Sequence, residues 1–140
     1  MKLFIDANVL VAVLNKEQPL FSHAARILSL ADRDGYSLYT SSLCLGIAYY
    51  FSEKKSGRVL ANQKMRNLCT KIKIASIDEQ AVFSVVANSK IEDFEDGMQY
   101  YAAVQKEVDY IITENGSDFY FSEIPVLGCK SFMEQVLFGE

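Results

Sequence analysis

The segment Leu3-Phe4-Ile5-Asp6-Ala7-Asn8-Val9-Leu10-Val11-Ala12-Val13-Leu14 decides how this chain is read. Its first apolar run is short, β-prone and stops at Asp6, the pattern of a fully buried strand. The second run, from Val9 onward, is long enough for about two helical turns. Asp6 is thereby predicted at the carboxyl end of a strand, just before a helix starts. In open α/β sheets that edge is where ligands bind. A carboxylate there is either a helix cap or a ligand for a cation, and the segment by itself leaves both readings open.

Working outward, the same alternation recurs. The polar stretch Asn15-Lys16-Glu17-Gln18-Pro19 reads as a connection. Phe21, Ala24, Ala25, Leu28 and Ala31 then repeat at helical spacing until Asp34-Gly35 stops the helix. Tyr36 to Thr40 is β-compatible, and Ser41-Ser42 offers an N-cap to an apolar helix from Leu43 to Glu53. Gly57 separates that helix from another over about Arg58 to Thr70, and Lys71 to Ala75 reads as a short strand. Ser76, with Glu79 three residues on, resembles a capping box opening a helix through about Asn88. A further helix begins near Asp93 and carries Phe94, Met98, Tyr101, Ala102 and Gln105. Asp109 to Thr113 is a strand, and Glu114 to Asp118 is a polar loop at its carboxyl end. Ile124 to Leu127 is a weaker strand that Pro125 assigns to an edge. Lys130 to Phe138 closes the chain as a helix. Strands alternating with helices predict an α/β fold with a parallel sheet covered on both faces. No linker, low-complexity tract or repeat divides the 140 residues, so a single domain over 1–140 is expected.

Composition narrows the function. Half of the residues are hydrophobic and only two are proline, which excludes a disordered or repeat-like chain. A net charge of -4 excludes a globally basic nucleic-acid coat. Cys44, Cys69 and Cys129 fit no zinc or thioredoxin spacing and read as reduced thiols of a cytoplasmic protein. No secretory signal is visible, and no apolar run is long enough to span a membrane. His23, the only histidine, lies in an amphipathic helix pattern and reads as packing, which leaves Ser-His-Asp and Cys-His mechanisms one candidate base. Phosphate-cradling glycine patterns are absent.

What remains is a set of carboxylates at predicted strand ends. Asp6 follows the first strand, Asp118 lies in the loop after the Asp109–Thr113 strand, and Asp96 stands in the first turn of the helix leading into it. If the two strands are neighbours, the three acids converge at one sheet edge. Convergent carboxylates stay ionised together only beside a cation, and oxygen-only ligands suit Mg²⁺ or Mn²⁺. Each acid also has a plainer role: Asp6 as a helix cap, Asp93 and Asp96 as an N-cap and N3 pair, and Asp118 as a turn residue. A second feature is the run from Lys54 to Lys73, which holds Lys54, Lys55, Arg58, Lys64, Arg66, Lys71 and Lys73 and no acid, half of the 14 Lys and Arg in the chain. It reads as a solvated helix face, a track for a phosphate backbone, or a dock for an acidic partner.

These residues resemble the PIN-domain family, including the VapC-type ribonuclease toxins of toxin–antitoxin pairs. The opening Leu3-to-Leu10 segment looks like the family's first motif. Asp93-Phe94-Glu95-Asp96-Gly97-Met98-Gln99-Tyr100-Tyr101-Ala102 is similar to its central acidic helix start. Asp109-Tyr110-Ile111-Ile112-Thr113-Glu114-Asn115-Gly116-Ser117-Asp118-Phe119 resembles its last motif. The resemblance implies a three-layer α/β/α sandwich on a parallel sheet of about five strands. It also implies Mg²⁺- or Mn²⁺-dependent cleavage of RNA, with Asp6, Asp96 and Asp118 at the metal and Asn8, Thr113 and Asn115 as supporting polar groups. Lys54, Lys55, Arg58, Lys64 and Arg66 are the candidate RNA-binding residues. A small antitoxin protein and a homodimer are the partners it implies.

One position departs from the pattern. The family's remaining acid, usually Glu, falls at Ile47. Glu53 lies about a turn and two-thirds further along a helix and emerges on a different face. Gly46 and Gly97 also stand where larger residues would favour a helix. The alternative is therefore a PIN fold without catalysis that binds RNA or protein. Another Mg²⁺-dependent phosphate-transfer enzyme is disfavoured, because Asp6-Ala7-Asn8 lacks a second carboxylate two residues on.

Overall fold

The structure, a computed structural model, describes residues 1–139. Five strands, β1 (Lys2–Ile5), β2 (Ser37–Ser41), β3 (Lys73–Ala75), β4 (Tyr110–Ile112) and β5 (Val126–Leu127), form one sheet in the order β3-β2-β1-β4-β5. Every neighbouring pair is parallel. The helices are α1 (Ala7–Leu14), α2 (Phe21–Ser29), α3 (Ser42–Ser56), α4 (Arg58–Cys69), α5 (Glu79–Ala87), α6 (Phe94–Gln105) and α7 (Cys129–Phe132). The chain runs outward from β1 to β3, then crosses back to β4 and β5 on the other side. With right-handed crossovers, that reversal puts α5 and α6 on the opposite face from α1 to α4. Contacts agree: α1 packs on α2 and α3, α3 on α4, and α2 on α7, whereas α6 packs on α5 and crosses β2 and β3.

The core lies along the two central strands. Leu3, Phe4 and Ile5 of β1 and Ile111 and Ile112 of β4 are fully buried, as an apolar strand covered on both faces requires. Register pairs Leu3 with Tyr110 and Ile5 with Ile112, so Asp6 and Thr113 leave the sheet side by side. Because the strand order reverses between β1 and β4, this is the topological switch point of the sheet, where a crevice opens.

Several boundaries differ from the sequence reading. The helix expected to open at a Ser76 capping box starts at Glu79, and its cap is Asp78, whose Oδ1 accepts from the Ala81 amide at 2.9 Å. The Asp78 carboxylate also accepts from Gln105 Nε2 at 2.9 Å, a contact that ties this cap to the end of α6. The closing helix is α-helical only over Cys129–Phe132 and continues as a π turn over Met133–Leu137. Gly97 is no anomaly: a Cβ there would stand 2.7 Å from Val85 Cγ1 and 2.9 Å from Ile91 Cγ2, so its bare backbone lets α6 approach α5 closely. Gly46 meets nothing within 4 Å. Pro125 does sit at the edge, just before β5, with its carbonyl accepting from the Ile111 amide at 3.0 Å.

Candidate active site

At the switch point each side chain is placed by its backbone. Asp6 follows β1 with an extended backbone and caps α1, its Oδ1 accepting from the Ala7 amide at 2.7 Å. Oδ2 accepts from the Thr113 hydroxyl at 2.8 Å and from Asn8 Nδ2 at 3.3 Å. Thr113 is buried, and its hydroxyl accepts in turn from Asn8 Nδ2 at 3.0 Å and from the Asn115 amide at 3.1 Å. One donated and two accepted bonds fill a hydroxyl's capacity. Asn8 Oδ1 accepts from the Glu114 amide at 3.1 Å, which ties the loop after β4 to the start of α1. The Cys44 thiol lies 3.6 Å from Asp6 Oδ1. Burial, reinforced by the charge of Asp6, pushes that thiol up to about 12, so it remains a neutral donor.

Asp96 arrives from the other layer. Asp93 caps α6, its Oδ1 accepting from the Asp96 amide at 3.0 Å, which puts Asp96 in the first turn. The Asp96 carboxyl is pushed up to about 7, first by burial and then by the charges of Asp93, Asp6, Asp118 and Glu95. Asp6 and Asp118 therefore act on Asp96 through space, although they lie far apart in sequence.

The three acids border two adjoining depressions. A cleft of about 390 Å³ is lined by Asp6, Asn8, Asn115 and Asp96, together with Glu17, Ile47, Phe51, Glu95 and Gln99. Asp96 also borders a neighbouring depression with Asp118, Glu92, Asp93, Ser117 and Tyr120. Ile47 thus faces the cleft, and Glu53 instead accepts from the Tyr49 hydroxyl at 3.1 Å. His23 is half-buried on α2 and borders neither depression. Sequence reasoning missed Glu17 and Gln99. The available signal for Gln99 was its place one helical turn after Asp96, on the same face.

A metal fits this donor set in a restricted way. The ligands on offer are all oxygen, and the charge left uncompensated around Asp96 is what a hard divalent cation neutralises. Among the described residues, however, no three His, Cys, Asp or Glu side chains stand close enough to share one ion. That pattern suits Mg²⁺, which binds through one or two carboxylates and keeps several waters.

The basic run is divided by the fold. Lys55 Nζ donates to the Asn15 carbonyl at 2.5 Å, and Lys64 Nζ to the Leu14 carbonyl at 2.7 Å, so both hold the carboxyl end of α1, where cations are favoured. Lys71 pairs with Asp32 at 2.5 Å. Lys73 lies 5.7 Å from the Tyr39 ring centre. Lys54, Arg58 and Arg66 are exposed and make no ion pair among the described residues.

A parallel sheet with strand order 3-2-1-4-5, and acids gathered at its switch point, defines a class of α/β proteins. The chain belongs to the PIN-domain family: the family's model, described as a PIN domain, matches residues 2–117. It is similar to Ribonuclease VapC1 of Aquifex aeolicus (strain VF5), with 26% identity over 137 residues that cover 96% of this chain and 94% of that protein. Among solved structures the fold is similar to VapBC2 from Rickettsia felis bound to a DNA fragment from its promoter. The TM-score there is 0.68 at 16% identity, covering 91% of this chain and 97% of the other. It is also similar to VapC20 of Mycobacterium tuberculosis, a Sarcin-Ricin loop cleaving toxin, with a TM-score of 0.65 at 18% identity, covering 88% and 98%. Among the described residues no helix is long and apolar enough to cross a membrane.

Proposed function

We propose that this chain is a metal-dependent endoribonuclease, the toxin half of a type II toxin–antitoxin pair. The observation that carries the reading is the shared field of Asp6, Asp96 and Asp118 at the switch point, in a chain whose likeness to Ribonuclease VapC1 runs nearly end to end. Asp6 and Asp96 hold Mg²⁺ or Mn²⁺, with Asp118 acting from the adjoining depression. Bound there, the ion supplies an activated water and neutralises the phosphodiester in transit. Thr113 and Asn8 fix the Asp6 carboxylate in one orientation, and Asn115 stands at the cleft wall beside them. Lys54, Arg58 and Arg66 track the RNA backbone, while Lys55 and Lys64 add their charge from the carboxyl end of α1. Tyr50, Val59 and Leu60 are exposed apolar residues on the same helix pair, a surface suited to a small antitoxin partner. Cleavage of structured RNA by the wild type in Mg²⁺ or Mn²⁺, lost in Asp6→Asn and in chelator, is the expected result. Equal activity in wild type and variant, or activity that survives the chelator, overturns the reading.

A second reading has its own support. Ile47 puts a hydrocarbon into the cleft, and no three acids converge on one point. These observations favour a PIN fold that binds RNA or a partner protein with little catalysis. Ile47→Glu separates the two. Under the second reading it raises Mn²⁺ affinity by about tenfold or more, the value of one charged ligand, and creates nuclease activity absent from the wild type.

A further inference from the structure

Among the side chains lining the acidic cleft, Gln99 is set apart by burial and by an unused donor. It stands on α6 one turn after Asp96 and is 2% exposed. Its Oε1 accepts a hydrogen bond from the Ser41 hydroxyl. Ser41 is itself buried, and the same oxygen caps α3 by accepting from the Cys44 amide at 3.0 Å. Ser41 gives its one proton to Gln99 Oε1, which leaves the amide nitrogen at the other end of the carboxamide. The Gln99 amide nitrogen donates to no protein group among the described residues, yet the side chain lines the cleft. The nitrogen is not one of the buried polar atoms left without a partner, so it reaches the cleft's solvent, where an acceptor on a ligand can take the place of water.

The surroundings say which ligand. Asp6, Asp96, Glu17 and Glu95 supply only acceptors when ionised, and Ile47 supplies nothing polar. Under the ribonuclease reading, a divalent cation held at Asp6 and Asp96 would offset the repulsion of these carboxylates for a phosphodiester, whose non-bridging oxygens are acceptors. Gln99 offers donor hydrogens there from a side chain locked against rotation by Ser41.

We propose that Gln99 is a substrate-contacting residue: its amide nitrogen donates to a non-bridging oxygen of the RNA phosphodiester bound in the cleft, and Ser41 is its positioning residue. The inference rests on the ribonuclease reading given above. It assigns this chain a neutral hydrogen-bond donor in the cleft that Asp6 and Ile47 also line.

The test compares the full-length wild type with Gln99→Met, which keeps the length and loses the amide, and with Gln99→Glu, which keeps the acceptor for Ser41 and loses the donor. Cleavage is measured in Mn²⁺, which tolerates sulfur, on RNA carrying an ordinary phosphate or a single phosphorothioate diastereomer at the cut site. Loss of a hydrogen bond to an anionic oxygen lowers kcat/KM by about 10- to 100-fold in both variants. Sulfur accepts hydrogen bonds poorly, so one diastereomer should be cut more slowly by the wild type, and that penalty should disappear in both variants. A merely structural role would slow the variants and leave the sulfur penalty in place, which overturns the proposal. Unchanged kcat/KM in a folded variant overturns it as well. Should Gln99→Met fail to fold, Gln99→Glu and the wild-type diastereomer comparison decide the matter. A wild type that cuts no RNA overturns the ribonuclease reading itself and this inference with it, an outcome distinct from loss confined to the Gln99 variants.

Discussion

Asp6 and Asp96 face one cleft in opposite electrostatic conditions. Asp6 is met by the Ala7 amide, the Thr113 hydroxyl, the Asn8 amide and the Cys44 thiol, which together neutralise a carboxylate from within. Asp96 has its neighbours' negative charge to contend with, and its carboxyl is pushed up to about 7 from 3.8. In the metal-free protein this has a definite sign. Between about pH 4 and about pH 7 the folded chain holds a proton at Asp96 that the unfolded chain has released, so stability falls as pH rises through that window. Asp96→Asn should therefore melt higher than wild type at about pH 8 in chelator, and the two should converge near about pH 4. Thermal denaturation at the two pH values checks it; a variant less stable than wild type at the higher pH contradicts the assignment of burial and crowding as the cause. The three acids could be picked out in the sequence because Asp6 ends an apolar run, Asp96 stands in a first helical turn and Asp118 lies in the polar loop that follows a strand. Gln99 was not, since a lone amide within an apolar helical stripe carries no local mark of its partner, and Ser41 is more than fifty positions away in the chain.

Among the helices, two glycines with the same sequence signature have different structural meanings. Gly97 sits where α6 meets α5, and the nearest atoms to an added methyl belong to Val85 and Ile91. Gly97→Ala is expected to destabilise by about 1–3 kcal/mol through overpacking. Gly46, exposed on α3 with no atom within 4 Å of an added methyl, should gain about 0.5–1 kcal/mol on replacement by alanine. Urea denaturation of the two variants reads both numbers, and a shift of the same sign in each contradicts the packing argument. Helix spacing could not tell these positions apart, because the difference lies in what a second helix places opposite them. Long-range contact also explains the lysines. Lys55 and Lys64 stand in a basic run but close the carboxyl end of α1, binding carbonyls forty and fifty positions earlier in the chain. Conversely, the strands and the acid-bearing turns were readable, because alternation of short apolar runs with helical periods is local.

For the molecule as a whole, the hydrophobic frame and the acidic cleft are separable. The β1–β4 core is apolar and fully buried without any contribution from an ion, so removal of divalent cations is expected to leave the chain folded. Adding Mn²⁺ at about a hundredfold over its Kd should stabilise the native state by about 2.7 kcal/mol, several degrees in Tm for a domain of this size. Asp6→Asn should abolish the shift. An unfolded chain in chelator, or an equal Mn²⁺ shift in the variant, would contradict this division of labour. The topology was legible in outline, as strands alternating with helices under the right-handed crossover rule. The strand order was not readable, since no local pattern says that β4 returns to the side of β1 left open by β2.

The pairing of β1 with β4 also has a consequence in time. The central strand leaves the ribosome well before β4, the partner on its other edge, and the Thr113 hydroxyl that binds Asp6 lies 107 positions after it. Synthesis runs from the amino end, so until that segment emerges Asp6 lacks the hydroxyl that orients it, and before α6 emerges the cleft lacks Asp96. The cleft is consequently late to form: it cannot be assembled until α6 and β4 have emerged and β4 has taken its place beside β1.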